Sequence, residues 1–183
     1  KNGSYALLVR VTSQKIGNIT TKRNKDVILM KNFLKRLDPL LEVVSISEET
    51  ERIEFIAFVS SSSSLCPACN ERSNHRHSAY MRKVSDLPIE GRPVLIHVKS
   101  YKWFCDNNKC KKEVFTERLP WIAPYRRRTK RLENSLRDIA FSTNAVQAEK
   151  VCQRLGMPIS HDSLLRLIYK TPLPKKESPF RWH

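Results

Sequence analysis

The sequence predicts an α+β fold, because three patterns succeed one another along its 183 residues. Cys66-Pro67-Ala68-Cys69 and Cys105-Asp106-Asn107-Asn108-Lys109-Cys110 are two short cysteine pairs. Between them apolar residues alternate, with Val94, Ile96 and Val98 on one face, as in a half-buried strand. Past Val114-Phe115-Thr116 the apolar period lengthens to about 3.6, the mark of amphipathic helices. Together they outline a small β-hairpin/zinc-ribbon domain followed by a three-helix helix-turn-helix domain.

Residues 1–29 have no clear amphipathic period. The chain opens on Lys1, so this stretch lies upstream of the native start if Met30 opens the protein. Asn18-Ile19-Thr20 matches a glycosylation acceptor, which carries no meaning in a cytosolic protein. Residues 30–65 read as an N-terminal helix and β-hairpin. Phe33, Leu34 and Leu37 space a short helix ending near Asp38-Pro39, and Leu41 to Ile46 and Arg52 to Val59 are strand-like runs around the turn Ser47-Glu48-Glu49-Thr50. Ser60 to Ser64 is a low-complexity joint. Residues 66–118 form the ribbon, with strands over Tyr80 to Leu87 and Val94 to Phe104 and a turn in Pro88-Ile89-Glu90-Gly91-Arg92-Pro93.

Four thiolates at this spacing can close a tetrahedral shell around one Zn²⁺ per chain, leaving no position for water, so such a zinc is structural. Its candidate ligands are Cys66, Cys69, Cys105 and Cys110. Competing readings remain. Disulfides demand an oxidising compartment, whereas Tyr5-Ala6-Leu7-Leu8-Val9 is too short and lacks signal-peptide organisation. A redox pair needs a βαβ context, and none follows the first pair. His75 and His77 are alternative ligands or groups that support the metal shell from outside. Cys152 stands apart at helical spacing with Ala148, Val151 and Leu155, as a small buried hydrophobe. Tyr101-Lys102-Trp103-Phe104 either covers a thin core or stacks on bases.

Net charge is +16, from 34 Lys and Arg against 18 Asp and Glu. Residues 66–137 hold 17 of the basic and only 7 of the acidic groups. A field concentrated in that way favours a polyanion such as double-stranded DNA, although an acidic membrane or protein partner would read similarly. No apolar run approaches the length of a membrane span, so a soluble protein is expected, and with DNA as its partner the expected location is cytoplasmic and nucleoid-associated.

Residues 119–171 form the helix-turn-helix domain. Leu132, Leu136, Ile139 and Ala140 line a first helix, with Arg126, Arg127, Arg128, Lys130 and Arg131 crowding its start. Cations there oppose the helix dipole, which either a phosphate backbone or a solvated basic face would explain. A second helix, Ala145 to Leu155, buries Ala148, Val151, Cys152 and Leu155 and exposes Gln147, Lys150 and Arg154. Gly156-Met157-Pro158-Ile159 breaks it, and Ser160 caps a third helix to about Lys170, with Asp162 in its first turn. Leu164, Leu167 and Ile168 face inward, leaving His161, Asp162, Leu165, Arg166 and Tyr169 outward as candidates for a major groove. The DNA-binding candidates are therefore Arg126, Arg127, Arg128, Lys130, Arg131, His161, Arg166 and Tyr169. Residues 172–183 are a Pro-rich linker stub.

From about Leu37 to Pro179 the chain resembles the transposases of the ISL-three family of bacterial insertion sequences. The residues that carry the likeness include Cys66-Pro67-x-Cys69, Asp86-Leu87-Pro88, Phe104-Cys105-x-Asn107-x-x-Cys110, Phe115-Thr116-Glu117-Arg118-Leu119-Pro120 and Arg154-Leu155-Gly156-Met157-Pro158-Ile159-Ser160. The resemblance implies an N-terminal DNA-binding region that recognises the terminal inverted repeats of the element in DNA transposition. It also implies that a catalytic domain of RNase H type with an Asp-Asp-Glu set should follow. The chain instead ends at Phe180-Arg181-Trp182-His183, as a truncation or frameshift would leave it, so this chain alone is not expected to be an enzyme. Asp86, Glu117 and Asp162 read as turn, cap or surface charges. Alternatives are a DNA-binding transcriptional repressor, or a module that pairs with itself or with intact transposase and inhibits it.

Overall fold

The computed structural model describes residues 32–172, so the expectations for residues 1–29 and for the stub beyond Pro172 lie outside it. A helical turn over residues 32–35 sends Leu34 into the core. Two strands follow, β1 (Leu41–Glu48) and β2 (Ile53–Val59), paired antiparallel from Leu41↔Val59 to Glu48↔Ile53. This is the expected hairpin. In β2 Ile53, Phe55, Ala57 and Val59 are buried and the residues between them half-buried, the period of two that one covered face requires.

Two tiny strands, β3 (Ser64–Leu65) and β4 (Arg72–Ser73), pair across the first cysteine knuckle. β5 (Arg76–Ile89) and β6 (Arg92–Phe104) then form a long hairpin, and β7 (Val114–Thr116) returns on β6 beyond the second knuckle. The β5–β6 turn is tighter than the six-residue segment expected. It consists of Glu90 and Gly91, with φ 53° and 74°, the positive pair that a two-residue hairpin loop of type I′ needs. Pro88 falls where the ladder register shifts between Asp86 and Ile89, so its missing N–H costs no ladder bond.

β2 pairs with β6 in parallel, from Ile53↔Val94 to Phe58↔Lys99. The main sheet therefore runs β1-β2-β6-β5, and the boundary expected at residue 65 falls inside one sheet. β5 occupies one edge of β6 along its length, while β2 and β7 share the other. Ile53, Phe55, Val84, Val94, Ile96 and Val98 meet Leu34, Leu119, Trp121 and Ile122 in the sheet core.

Three helices follow: α1 (Lys130–Ser142), α2 (Ala145–Arg154) and α3 (His161–Tyr169). Thr129 caps α1 by accepting from Leu132 N, and Asn144 caps α2 by accepting from Gln147 N. At the end of α2, Met157 N donates to Cys152 O and Gly156 N to Gln153 O, closing a Schellman motif with Gly156 at φ 77°. Ser160 holds the N-cap position of α3 without the expected side-chain bond. Glu149 of α2 supplies the acceptor instead, taking the His161 N–H at 3.0 Å. Leu132, Leu136, Ala140, Ala148, Cys152, Leu164 and Leu167 make the bundle core. Val151 and Leu155, expected inside, are 41% and 48% exposed. The bundle covers only the stripe of α2 that carries Ala148 and Cys152.

Sheet and bundle are joined backbone to backbone. Residues 127–129 lie along the free edge of β5, where Ser85 N donates to Arg127 O at 2.9 Å and Thr129 N to Ser85 O at 3.0 Å. At the far end Gly156 packs on the β5–β6 turn so tightly that a Cβ there would stand 2.1 Å from Gly91 O.

Candidate metal centre and nucleic-acid interface

Each knuckle is the loop of a short hairpin. In the first, Asn70 N donates to Cys66 O at 2.8 Å and Cys66 N to Glu71 O at 2.9 Å, with Asn70 at φ 59° folding the chain back. In the second, Cys105 N donates to Glu113 O at 2.7 Å, and Asn107 Oδ1 accepts from Lys109 N at 2.9 Å. The hairpins bring the four Sγ atoms of Cys66, Cys69, Cys105 and Cys110 within 4.8 Å of one another. Cys66 and Cys110 sulfurs are 3.9 Å apart, and those of Cys69 and Cys105 3.5 Å. A tetrahedral Zn–S₄ site with bonds of about 2.3 Å requires sulfurs about 3.8 Å apart, so the set fits zinc.

The clustered thiols also influence one another's ionisation. Burial raises the Cys66 thiol, but hydrogen bonds to Ala68, Cys69 and the neighbouring thiols outweigh it and bring it from 9.0 to about 7. For Cys105 the Asn107 N–H favours the thiolate, yet burial and the surrounding thiols together push it up to about 12. Cys66 thus favours the thiolate and Cys105 the thiol, and a bound Zn²⁺ would favour the thiolate at both. Bound there, zinc supplies cross-linking and no open position for chemistry.

Neither histidine joins the cluster. His75 Nδ1 bonds Asp106 Oδ1 at 2.8 Å and its carbonyl accepts from Phe104 N, so His75 ties the two knuckles together. That hydrogen bond holds the Asp106 carboxyl below its usual range. His77 packs edge-on against Phe104. Trp103 is fully buried with Cys66 and Phe115 and donates Nε1 to Glu117 Oε2 at 3.1 Å, so it covers the thin core under the metal and does not stack on bases. Among the described residues, these four cysteines are the one grouping of three or more potential metal ligands.

The basic segment divides once its partners are known. Arg131 is locked onto Asp86 by two hydrogen bonds, its Nε at 2.8 Å from Oδ1, and its guanidinium covers the Phe33 ring at 4.3 Å. Asp86 also accepts from Thr129 Oγ1 at 2.7 Å. It is 3% exposed, and Glu117 4%, so both are buried acceptors and not the turn, cap or surface charges expected. Asp86 sets a negative charge beside the start of α1 and so offsets part of the dipole conflict expected there. Arg126 pairs with Glu133 at 3.6 Å. Arg128 is half-buried and lines a cavity of about 40 Å³ between sheet and bundle with Asp86, Leu132 and Met157. Arg127 and Lys130 are exposed.

On α3, Leu164 and Leu167 are buried, and Arg166 and Tyr169 face solvent, Tyr169 at 82% exposure. His161 bonds Glu149 Oε2 through Nδ1 at 2.8 Å. That bond raises the His161 pKa and lowers that of Glu149, fastening α2 to α3. The sequence reading missed Thr129, Glu149 and Tyr125. Of these Thr129 had a usable signal, a threonine directly before a helical run.

Residues 62–110 match the family described as the zinc-finger of transposase IS204/IS1001/IS1096/IS1165. The transposase for insertion sequence element IS1001 of Bordetella parapertussis is 34% identical over 84 residues, which is 46% of this chain and 20% of that protein. The matched stretch thus spans about a fifth of that relative's length. No solved structure matches. No helix among the described residues is long and apolar enough to cross a membrane. Residues 62–110 are thus similar to the zinc ribbon of insertion-sequence transposases of this type, and their four cysteines fit the metal such a ribbon holds.

Proposed function

We propose that this chain binds double-stranded DNA in transposition, recognising the terminal inverted repeats of an insertion sequence, and does so without itself cutting DNA. α2 and α3 act as a helix-turn-helix, with Arg166 and Tyr169 on α3 reaching base edges, while Arg127 and Lys130 meet phosphates. The observation that carries this reading is a transposase-type zinc ribbon joined, through β5 and residues 127–129, to a helix whose outward face holds an arginine and a tyrosine. Arg131, His161 and, in part, Arg126 have their charges matched inside the chain and serve to hold the surface in shape.

The test is a binding titration on a duplex recovered by selection from a random pool, beside a scrambled duplex, at two salt concentrations. Arg127→Ala should weaken both about equally and lower the salt slope by about one. Arg166→Ala should cost about 1–3 kcal/mol on the selected duplex and relax discrimination at one base pair. Equal losses for both variants on both duplexes would remove α3 as the reader.

A further inference from the structure

Tyr125 occupies a position that turn chemistry reserves for glycine. Arg126 N donates to Ala123 O at 3.1 Å, closing a four-residue turn in which Pro124 is second and Tyr125 third, with φ 60°. Proline fixes the second φ near −65°, so a positive third φ makes this a type II turn, which ordinarily takes Gly or Asn there. A bulky side chain in that region stays only where its surroundings enforce it. Here they do. Ile122 bridges to Thr129 across the loop base, Lys130 N donates to Trp121 O at 2.9 Å, and Arg82 Nη2 donates to Arg126 O at 3.0 Å. Trp121 and Ile122 are buried, yet the Tyr125 ring three residues past Ile122 is 93% exposed. Packing therefore cannot be the reason for the ring. The Arg118 guanidinium stands 6.0 Å from its centroid, and Arg126 and Arg127 follow in the chain.

We propose that Tyr125 is a stacking residue for DNA, packing its open face on a nucleobase exposed where a duplex is kinked, bulged or ended, with Arg118 and Arg127 on the adjoining phosphates. The proposal rests on the chain being a DNA binder, but not on α3 being the reader. An aromatic ring stacks on any base, whereas an intact duplex keeps its base faces covered by one another. A ring held out from a fixed turn beside arginines thus suits distorted DNA and confers no sequence preference.

The experiment uses the zinc-loaded 183-residue chain and two labelled duplexes, one fully paired and one with a single unpaired 2-aminopurine, a fluorescent base whose emission falls on stacking. Tyr125→Gly should lose about tenfold or more in affinity for the bulged duplex, abolish the quenching, and change binding to the paired duplex little. Its melting temperature should equal or exceed that of the parent chain, because glycine adopts the turn without strain. Tyr125→Phe should bind and quench as the parent does. Parent-like binding of the bulged duplex by Tyr125→Gly, or a fall in its melting temperature, would overturn the proposal. Arg166→Ala is run alongside. If it leaves sequence discrimination intact while Tyr125→Gly still weakens the bulged duplex selectively, the reading helix is lost and the stacking residue stands. Absence of binding to either duplex defeats both.

Discussion

Glu117 keeps its carboxyl out of water, with Oε2 accepting from Trp103 Nε1 and Ser61 Oγ while Oε1 is buried without a partner. Desolvation raises its pKa, more than the two donors lower it. A carboxyl raised in the folded state contributes stability that is complete below the ordinary glutamate range and is lost as pH climbs through the raised value. Glu117→Gln keeps the acceptor for Trp103 and cannot ionise. It should therefore flatten the decline in melting temperature from mildly acidic to neutral pH, which thermal melts across that range would show; an unchanged decline would place its cause elsewhere. Asp86 is the contrasting buried carboxylate, with both oxygens occupied by Arg131 and Thr129.

At the level of elements, the Schellman turn after α2 also docks the bundle. Gly156→Ala would place a methyl 2.1 Å from Gly91 O at a positive φ, so both the turn and its seat on the β5–β6 loop must give. We expect a loss of about 2 kcal/mol or more, read by denaturant titration, since alanine at positive φ and a backbone clash add. Much at this scale was legible beforehand: the β1–β2 and β5–β6 hairpins, the ribbon cysteines and three helices all leave local patterns of period two, knuckle spacing or period 3.6. What lay between distant segments was not. The parallel seam of β2 on β6 leaves no local trace, because both strands read as ordinary hairpin members. Arg131 looked like part of a solvated basic run because its carboxylate partner stands 45 positions earlier in the chain. Val151 and Leu155 fit the helical stripe, but α1 and α3 do not reach far enough round α2 to cover them. Tyr125 left no signal, since a tyrosine in a type II turn contradicts the rule by which such turns are recognised.

At the scale of the molecule, apolar packing among the described residues falls into three clusters, of which the smallest is Cys66, Trp103 and Phe115 beneath the four thiols. A cluster that small cannot hold two knuckles without the metal, whereas the sheet and bundle cores have apolar contacts of their own. Chelation should therefore speed hydrogen exchange first in β3, β4, β7 and the knuckle loops, with β1, β2, β6 and the helices following later. Metal analysis should give one zinc per parent chain and a loss of binding in Cys105→Ser. Uniform exchange throughout after chelation, or zinc retained by that variant, would contradict this. The parallel seam has a further consequence during synthesis. β2 leaves the ribosome with β1 on one side and nothing on the other until Val94 to Lys99 have been made, some 35 residues later. For that interval an apolar strand edge stands open, the kind of surface on which nascent chains adhere to one another or to chaperones. Shortened products ending before β6 are accordingly the ones expected to aggregate, while any product that includes β6 closes the edge itself.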